Sequence, residues 1–189
     1  MVEPMDCVAR SARFSRCGRY RYRLTRQWGP GEPLVFVMLN PSTADAERDD
    51  PTIRKCIGFA RRLGFHGVDV VNLFAYRATS PRALWAAPPA QRQGPGNRKA
   101  LAEAFAGKTV VLAWGAHARR AWLLARRTER AARRTASRVR VLKRLSDGIP
   151  AHPLMLPYAC AAQADPCAVQ TIYNEHASAA AARRAVAKT

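Results

Sequence analysis

The sequence predicts a three-layer α/β/α domain: a central, mainly parallel, four-stranded sheet with an added N-terminal edge strand. Three observations carry that expectation. Apolar runs of strand length recur at residues 34–39, 68–73 and 109–114, with a short alternating segment at 138–142. The first three runs hold few polar residues, as strands covered on both faces do. Helix-length segments separate them, and repeated strand–helix–strand units imply right-handed crossovers with helices on both faces. On that topology Asn40, Asn72, Gly115 and the loop carrying His152 fall on one rim.

Residues 1–14 show no periodicity and read as a loose N-terminal arm, followed by a single domain over 15–158. Arg19-Tyr20-Arg21-Tyr22-Arg23-Leu24 alternates, with aromatic or apolar side chains on one face and arginines on the other. That pattern reads as a half-buried edge strand whose charges discourage further pairing. Trp28-Gly29-Pro30-Gly31 turns the chain into the first buried strand, which stops at Asn40-Pro41 because proline offers no N–H to a ladder. Asp50-Pro51 opens a helix, with a carboxylate at the N-cap and proline at the first helical position. Ile53, Cys56, Ile57, Ala60 and Leu63 form its apolar stripe, and Gly64 ends it.

The second buried strand, Val68 to Phe74, is followed by a loop and a short turn at Leu84-Trp85. Pro88 to Gly96 reads as a surface loop, and Asn97 as the cap of a helix over 98–106. Thr109 to Gly115 is the third strand. The helix over 116–136 is expected to turn Ala118, Ala121, Trp122 and Ala125 inward. Residues 159–189 form an alanine-rich extension whose composition suits a terminal helix.

Charge is the outlier. Lys plus Arg number 32 against 13 Asp plus Glu, a net charge of +19. Such an excess points to a polyanionic partner, with nucleic acid ahead of a membrane surface and DNA ahead of RNA. Residues 119–144 alone hold eleven basic residues and one acid, Glu129. Arg119, Arg120, Arg126, Arg127, Arg130, Arg133 and Arg134 are the candidates for tracking phosphates beside the rim; a solvated face is the plainer reading. The five cysteines are scattered and odd in number, which suits reduced thiols. No apolar stretch reaches spanning length, and the N-terminus lacks the apolar centre of a secretory signal. The expectation is a cytoplasmic monomer with no membrane partner, cofactor or metal.

Four motifs, in order, resemble the uracil-DNA glycosylase superfamily: Asn40-Pro41, Val70-Val71-Asn72-Leu73, Val110 to Ala118, and His152-Pro153. The resemblance implies that Asn40 positions the attacking water and Asn72 reads the edge of an extruded base. His152 would stabilise charge on the departing base, and the residues after Pro153 would enter the duplex. Departures are Met38 in place of that family's glycine, Leu154 in place of its serine, and about ten residues between the fourth strand and His152. More narrowly, Leu39 to Asp45, Asp50 to Arg54, Asn72 to Thr79 and Asp147 to Leu154 resemble a bacterial domain-of-unknown-function family, number 1643. That resemblance runs from about Tyr20 to Tyr158 and implies no activity.

Glycosidic cleavage needs electrostatic stabilisation of a leaving base and a sugar cation rather than a strong nucleophile. Asn40 can orient water, Asp45 is the candidate base that activates it, and His152 can donate to a base oxygen. Phe74 or Tyr76 can stack on the base, with Pro41, Ser42, Thr43, Asn72, Trp114 and Gly115 completing the substrate site. The plainer alternatives are a satisfied His-Pro turn, a strand-end amide at Asn72 and a solvated loop acid at Asp45. Asp45, Asp49 and Asp50 also permit Mg²⁺-assisted phosphoryl hydrolysis, although Asp50 is more simply a cap. The competing function class is a nucleic-acid-binding module without turnover.

Overall fold

The computed structural model describes residues 9–161. Six strands, β1 (Ala9–Phe14), β2 (Arg21–Gln27), β3 (Leu34–Met38), β4 (Gly67–Asn72), β5 (Thr109–Leu112) and β6 (Arg138–Val141), form one sheet in the order β1-β2-β4-β3-β5-β6. β4, β3, β5 and β6 run parallel, as the repeated strand–helix units require. β2 pairs antiparallel with β4, and β1 antiparallel with β2.

β3 is buried throughout and alternates between two cores. Leu34, Phe36 and Met38 pack with Ile53, Cys56 and Ile57 of α1 (Pro51–Arg62). Val35 and Val37 pack with Leu84 of α2 (Pro81–Ala86), Leu101 of α4 (Asn97–Phe105) and Ala125 of α5 (Trp122–Thr135). Helices therefore cover both faces, with a four-residue α3 (Pro89–Arg92) inside the expected surface loop. α1 starts as expected: the Asp50 carboxylate accepts the Ile53 N–H at 2.9 Å and Pro51 follows.

Four expectations need correction. Residues 9–14 are not an arm, because they form β1 on the outer side of β2. β2 is consequently not the edge, and its arginines do not all face water: Arg21 and Arg26 are fully buried. The cause is a break in register, with Phe14 opposite Arg21 where Arg13 is opposite Arg23. This bulge reverses the alternation at Tyr22 and turns Arg21 onto the α1 side with Leu24 and Arg26. Arg26 is stabilised there by Asp49 at 2.8 Å and by the Asp45 carbonyl; a buried guanidinium without such partners costs several kcal/mol. On the opposite face Asp69 takes Arg23 and the Thr25 hydroxyl, which fixes β2 against β4.

The third correction is to the basic helix. Residues Ala116–Ala121 are a 3₁₀ segment and the α-helix starts only at Trp122. Three residues per turn shifts the phase relative to 3.6, so Ala118 and Ala125 are buried while Trp122 faces outward. The fourth is Asn97, which makes no cap bond. It lies fully buried inside α4 and donates to the Asn72 and Leu73 carbonyls, tying the helix to the end of β4. The predicted terminal helix lies beyond the described residues, apart from a 3₁₀ turn over Tyr158–Ala161.

Candidate functional site

The carboxyl ends of β3 and β5, with the loop after β6, enclose a cavity of about 610 Å³. The walls are tied by main-chain bonds. The Ala78 N–H donates to the Pro41 carbonyl, the Arg21 N–H to Ala75, and the Gly115 N–H to Pro150, at 2.9–3.0 Å. Such bonds carry the loops where no strand pairing does, so the rim is held although it is irregular.

Asn40 sits on this wall with its amide fixed. Its Nδ2 donates to the carbonyls of Ala78 at 2.8 Å and Pro41 at 3.0 Å, which leaves Oδ1 as the atom to accept from a water. His152 lies across the cavity against Gly115. Gly115 has φ +78°, and a Cβ built there would stand 2.9 Å from the His152 Cβ. Only glycine gives both that backbone angle and that approach. Nδ1 of His152 accepts the Leu154 N–H over a long 3.4 Å, so Nε2 carries the proton of the neutral ring. Burial lowers the imidazole's pKa; Asp50 opposes that shift and the neighbouring His117 adds to it. The ring is thus a neutral Nε2–H donor at pH 7. Ser42, Trp114 and Gly115 share the cavity.

Other expected residues lie elsewhere. The Asp45 carboxylate accepts the N–H groups of Glu47 and Arg48 at 2.9 and 2.7 Å, and these hold its pKa below the ordinary value. It is a loop acid off the cavity wall, because its short loop closes back on itself. Pro41 contributes only its carbonyl and Thr43 points outward. Asn72 is buried at the end of β4, off the wall, with both amide atoms unpartnered. Phe74 stands edge-on to Trp85 with ring centres 5.5 Å apart, and Tyr76 edge-on to Tyr20 at 6.1 Å. Both rings are committed to packing rather than to stacking on a ligand.

The cavity wall also includes Asp50, read from the sequence as a cap with a metal-ligand alternative, and Arg21, given no site role there. Asp50 adds to its cap a carboxylate facing His152 and Arg21. Arg21 is 1% exposed, and burial lowers its pKa to about 10. Asp50 is legible in the sequence, since a cap at the end of a strand-to-helix loop is also at the rim. Arg21 is not, because the bulge that turns it inward leaves no mark on the alternation. The three acids that suggest a metal are separately engaged: Asp45 in its turn, Asp49 with Arg10 and Arg26, Asp50 on α1. No acid, histidine and cysteine cluster able to hold a metal occurs among the described residues.

The basic helix leaves the same rim through the 3₁₀ segment after Gly115. Arg119 pairs with Asp147, Arg133 with Glu129, Arg120 stacks on Trp85 and Arg126 on Trp122. Arg127, Arg130 and Arg134 lie exposed on α5. Leu154 and Met155, 42% and 81% exposed, project at the cavity mouth directly after His152-Pro153. No described helix is long and apolar enough to cross a membrane.

The family model described as a protein of unknown function, DUF1643, matches residues 21–154, which takes in nearly all of the cavity wall. No curated protein and no solved structure matches the chain.

Proposed function

The chain belongs to the DUF1643 family, and we propose that it is a nucleic-acid-associated hydrolase whose rim cavity receives a flipped-out modified base and cleaves its N-glycosidic bond. The observation that carries the reading is the meeting of Asn40 and His152 on one cavity of about 610 Å³, beside Trp114 and Gly115. Those positions carry the uracil-DNA glycosylase-like motifs, and the volume admits a base with its sugar.

In this mechanism Asn40 Oδ1 holds a water against the anomeric carbon. As the glycosidic bond breaks, its electron pair passes to the base, whose oxygen accepts a hydrogen bond from His152 Nε2–H. The water oxygen bonds to the sugar and its proton goes to the Asp50 carboxylate. Fixed dipoles on the cavity wall supply most of the rate, and one such donor is worth about 10²–10³-fold. Exposed Leu154 and Met155 suit a wedge that fills the gap left by the base, and the basic helix suits phosphates beside it.

A second reading has its own support. Asp45 and Asn72 lie off the cavity, which favours a binding module that accepts a base without cleaving it. The test incubates wild-type protein with duplexes carrying uracil, hypoxanthine and other modified bases and measures free base. Release that falls about 10²-fold in His152→Ala, with affinity unchanged, supports hydrolysis. Tight binding with no release from any substrate selects the binding module.

A further inference from the structure

Arg21 takes no part in the proposed cleavage. Its guanidinium is nine-tenths and more buried, lines the cavity and lies within salt-bridge distance of no carboxylate among the described residues. Nη1 donates to the Ala44 carbonyl at 2.7 Å, while Nε has no partner. The neighbouring Arg26 is compensated by Asp49 at 2.8 Å. Arg21 has only the more distant influence of Asp50 and Asp45, set against that of Arg26 and Arg77. A buried cation left this way destabilises the empty protein.

A second orphan lies on the same side of the sheet. Strand alternation puts Asn72 on the face of Val70, which is opposite Leu24 and so on the side to which Arg21 turns. Both atoms of the Asn72 amide lack a partner. The nearby cavity wall comes from the loops after β3 and β4, joined by the Asn40 and Ala78 bonds, and carries the hydroxyls of Ser42, Thr79 and Ser80. Ser80 Oγ accepts the Ala83 N–H at 3.2 Å, so its own proton is available to donate. A buried guanidinium with an unpartnered Nε, sharing its wall with hydroxyl donors, matches the oxygens of a phosphate.

We propose that this end of the cavity is a phosphate-monoester site, with Arg21 as its charged ligand and Ser42, Thr79 and Ser80 as neutral donors. It deepens the base-pocket reading by naming the group that enters with the base, and rests on that reading only for the rest of the ligand. The phosphate is either the 5′-terminal phosphate of a strand or that of a free mononucleotide. Asp50, the carboxylate on the same wall, spends one oxygen on the Ile53 N–H at the start of α1, which tempers its repulsion.

The test titrates the full chain at fixed ionic strength with inorganic phosphate, thymidine 5′-monophosphate, and oligothymidines with and without a 5′-phosphate, reading Kd and Tm. Arg21→Met keeps much of the side-chain volume and removes the charge. It is expected to melt at or above the wild-type temperature without phosphate, since an unpaired buried charge is gone, and to bind phosphate about 10- to 100-fold more weakly. A tenfold preference for the 5′-phosphorylated strand identifies a strand end. Binding of the monophosphate with no preference between strands identifies a free nucleotide. Phosphate responses equal in wild type and Arg21→Met overturn the site, because they then belong to the surface arginines. Should Arg21→Met fail to fold, Ser42→Ala with Thr79→Val decides: several-fold weaker phosphate binding supports the site, and unchanged binding refutes it. Failure of base release leaves these titrations readable, so the two readings fail separately.

Discussion

Gly115→Ala puts the packing of the rim to a quantitative test. At φ +78° and ψ 175° an alanine occupies a region that side chains avoid, at a cost of about 1–3 kcal/mol. Its Cβ also meets the His152 Cβ at 2.9 Å, closer than two carbons pack, so the 150–153 loop must move. Together these give roughly 2–3 kcal/mol of lost stability, which for a chain of this size lowers Tm by about 4–12 °C. Urea denaturation reads the stability. NMR titration of the His152 ring reads the site, where loss of burial should raise the imidazole pKa toward its ordinary value. A variant within about 0.5 kcal/mol of wild type with His152 titrating unchanged refutes the account of how Gly115 seats the imidazole.

Three further outcomes follow from the same geometry. Because the folded His152 pKa is depressed, the unfolded state binds the extra proton between that value and about pH 6.5. Stability therefore falls as pH drops through this window, and His152→Gln should flatten that part of a Tm-against-pH curve. Asp50→Asn keeps an equally good cap and should cost only a few tenths of a kcal/mol, whereas Asp50→Ala should cost about 1 kcal/mol by urea denaturation. Both variants should lose base release alike if the carboxylate takes the proton; a fully active Asp50→Asn rejects that role. Replacing Arg127, Arg130 and Arg134 with alanine should reduce the salt slope of duplex binding by up to about 3 units, read from log Kd against log salt. An unchanged slope returns α5 to a solvated face.

Much of the fold is readable in the sequence because it rests on local signals. β3, β4, β5 and β6 show as apolar or alternating runs, and α1 as Asp50-Pro51 with its stripe and Gly64. The errors have non-local causes. β1 carries no apolar pattern and exists because β2 offers it a ladder. The bulge at Tyr22 and the 3₁₀ entry to α5 each shift a phase that periodicity assumes constant. In the site, Asn40, Ser42, Trp114, Gly115 and His152 are legible as strand ends and loop residues, where topology alone gathers them. Asp45 misleads because distance along the chain does not show that a loop closes on its own amides. Phe74 and Tyr76 mislead because a ring's packing partner is set by tertiary structure.

The central claim is that a base leaves its stack and enters this cavity. A duplex with 2-aminopurine beside a modified base reports that directly, because its fluorescence rises on unstacking. Wild type should raise the signal on binding, and Leu154→Ala with Met155→Ala should weaken the rise while leaving the salt-dependent affinity in place. Tight binding of the modified duplex with no change in fluorescence would contradict the account.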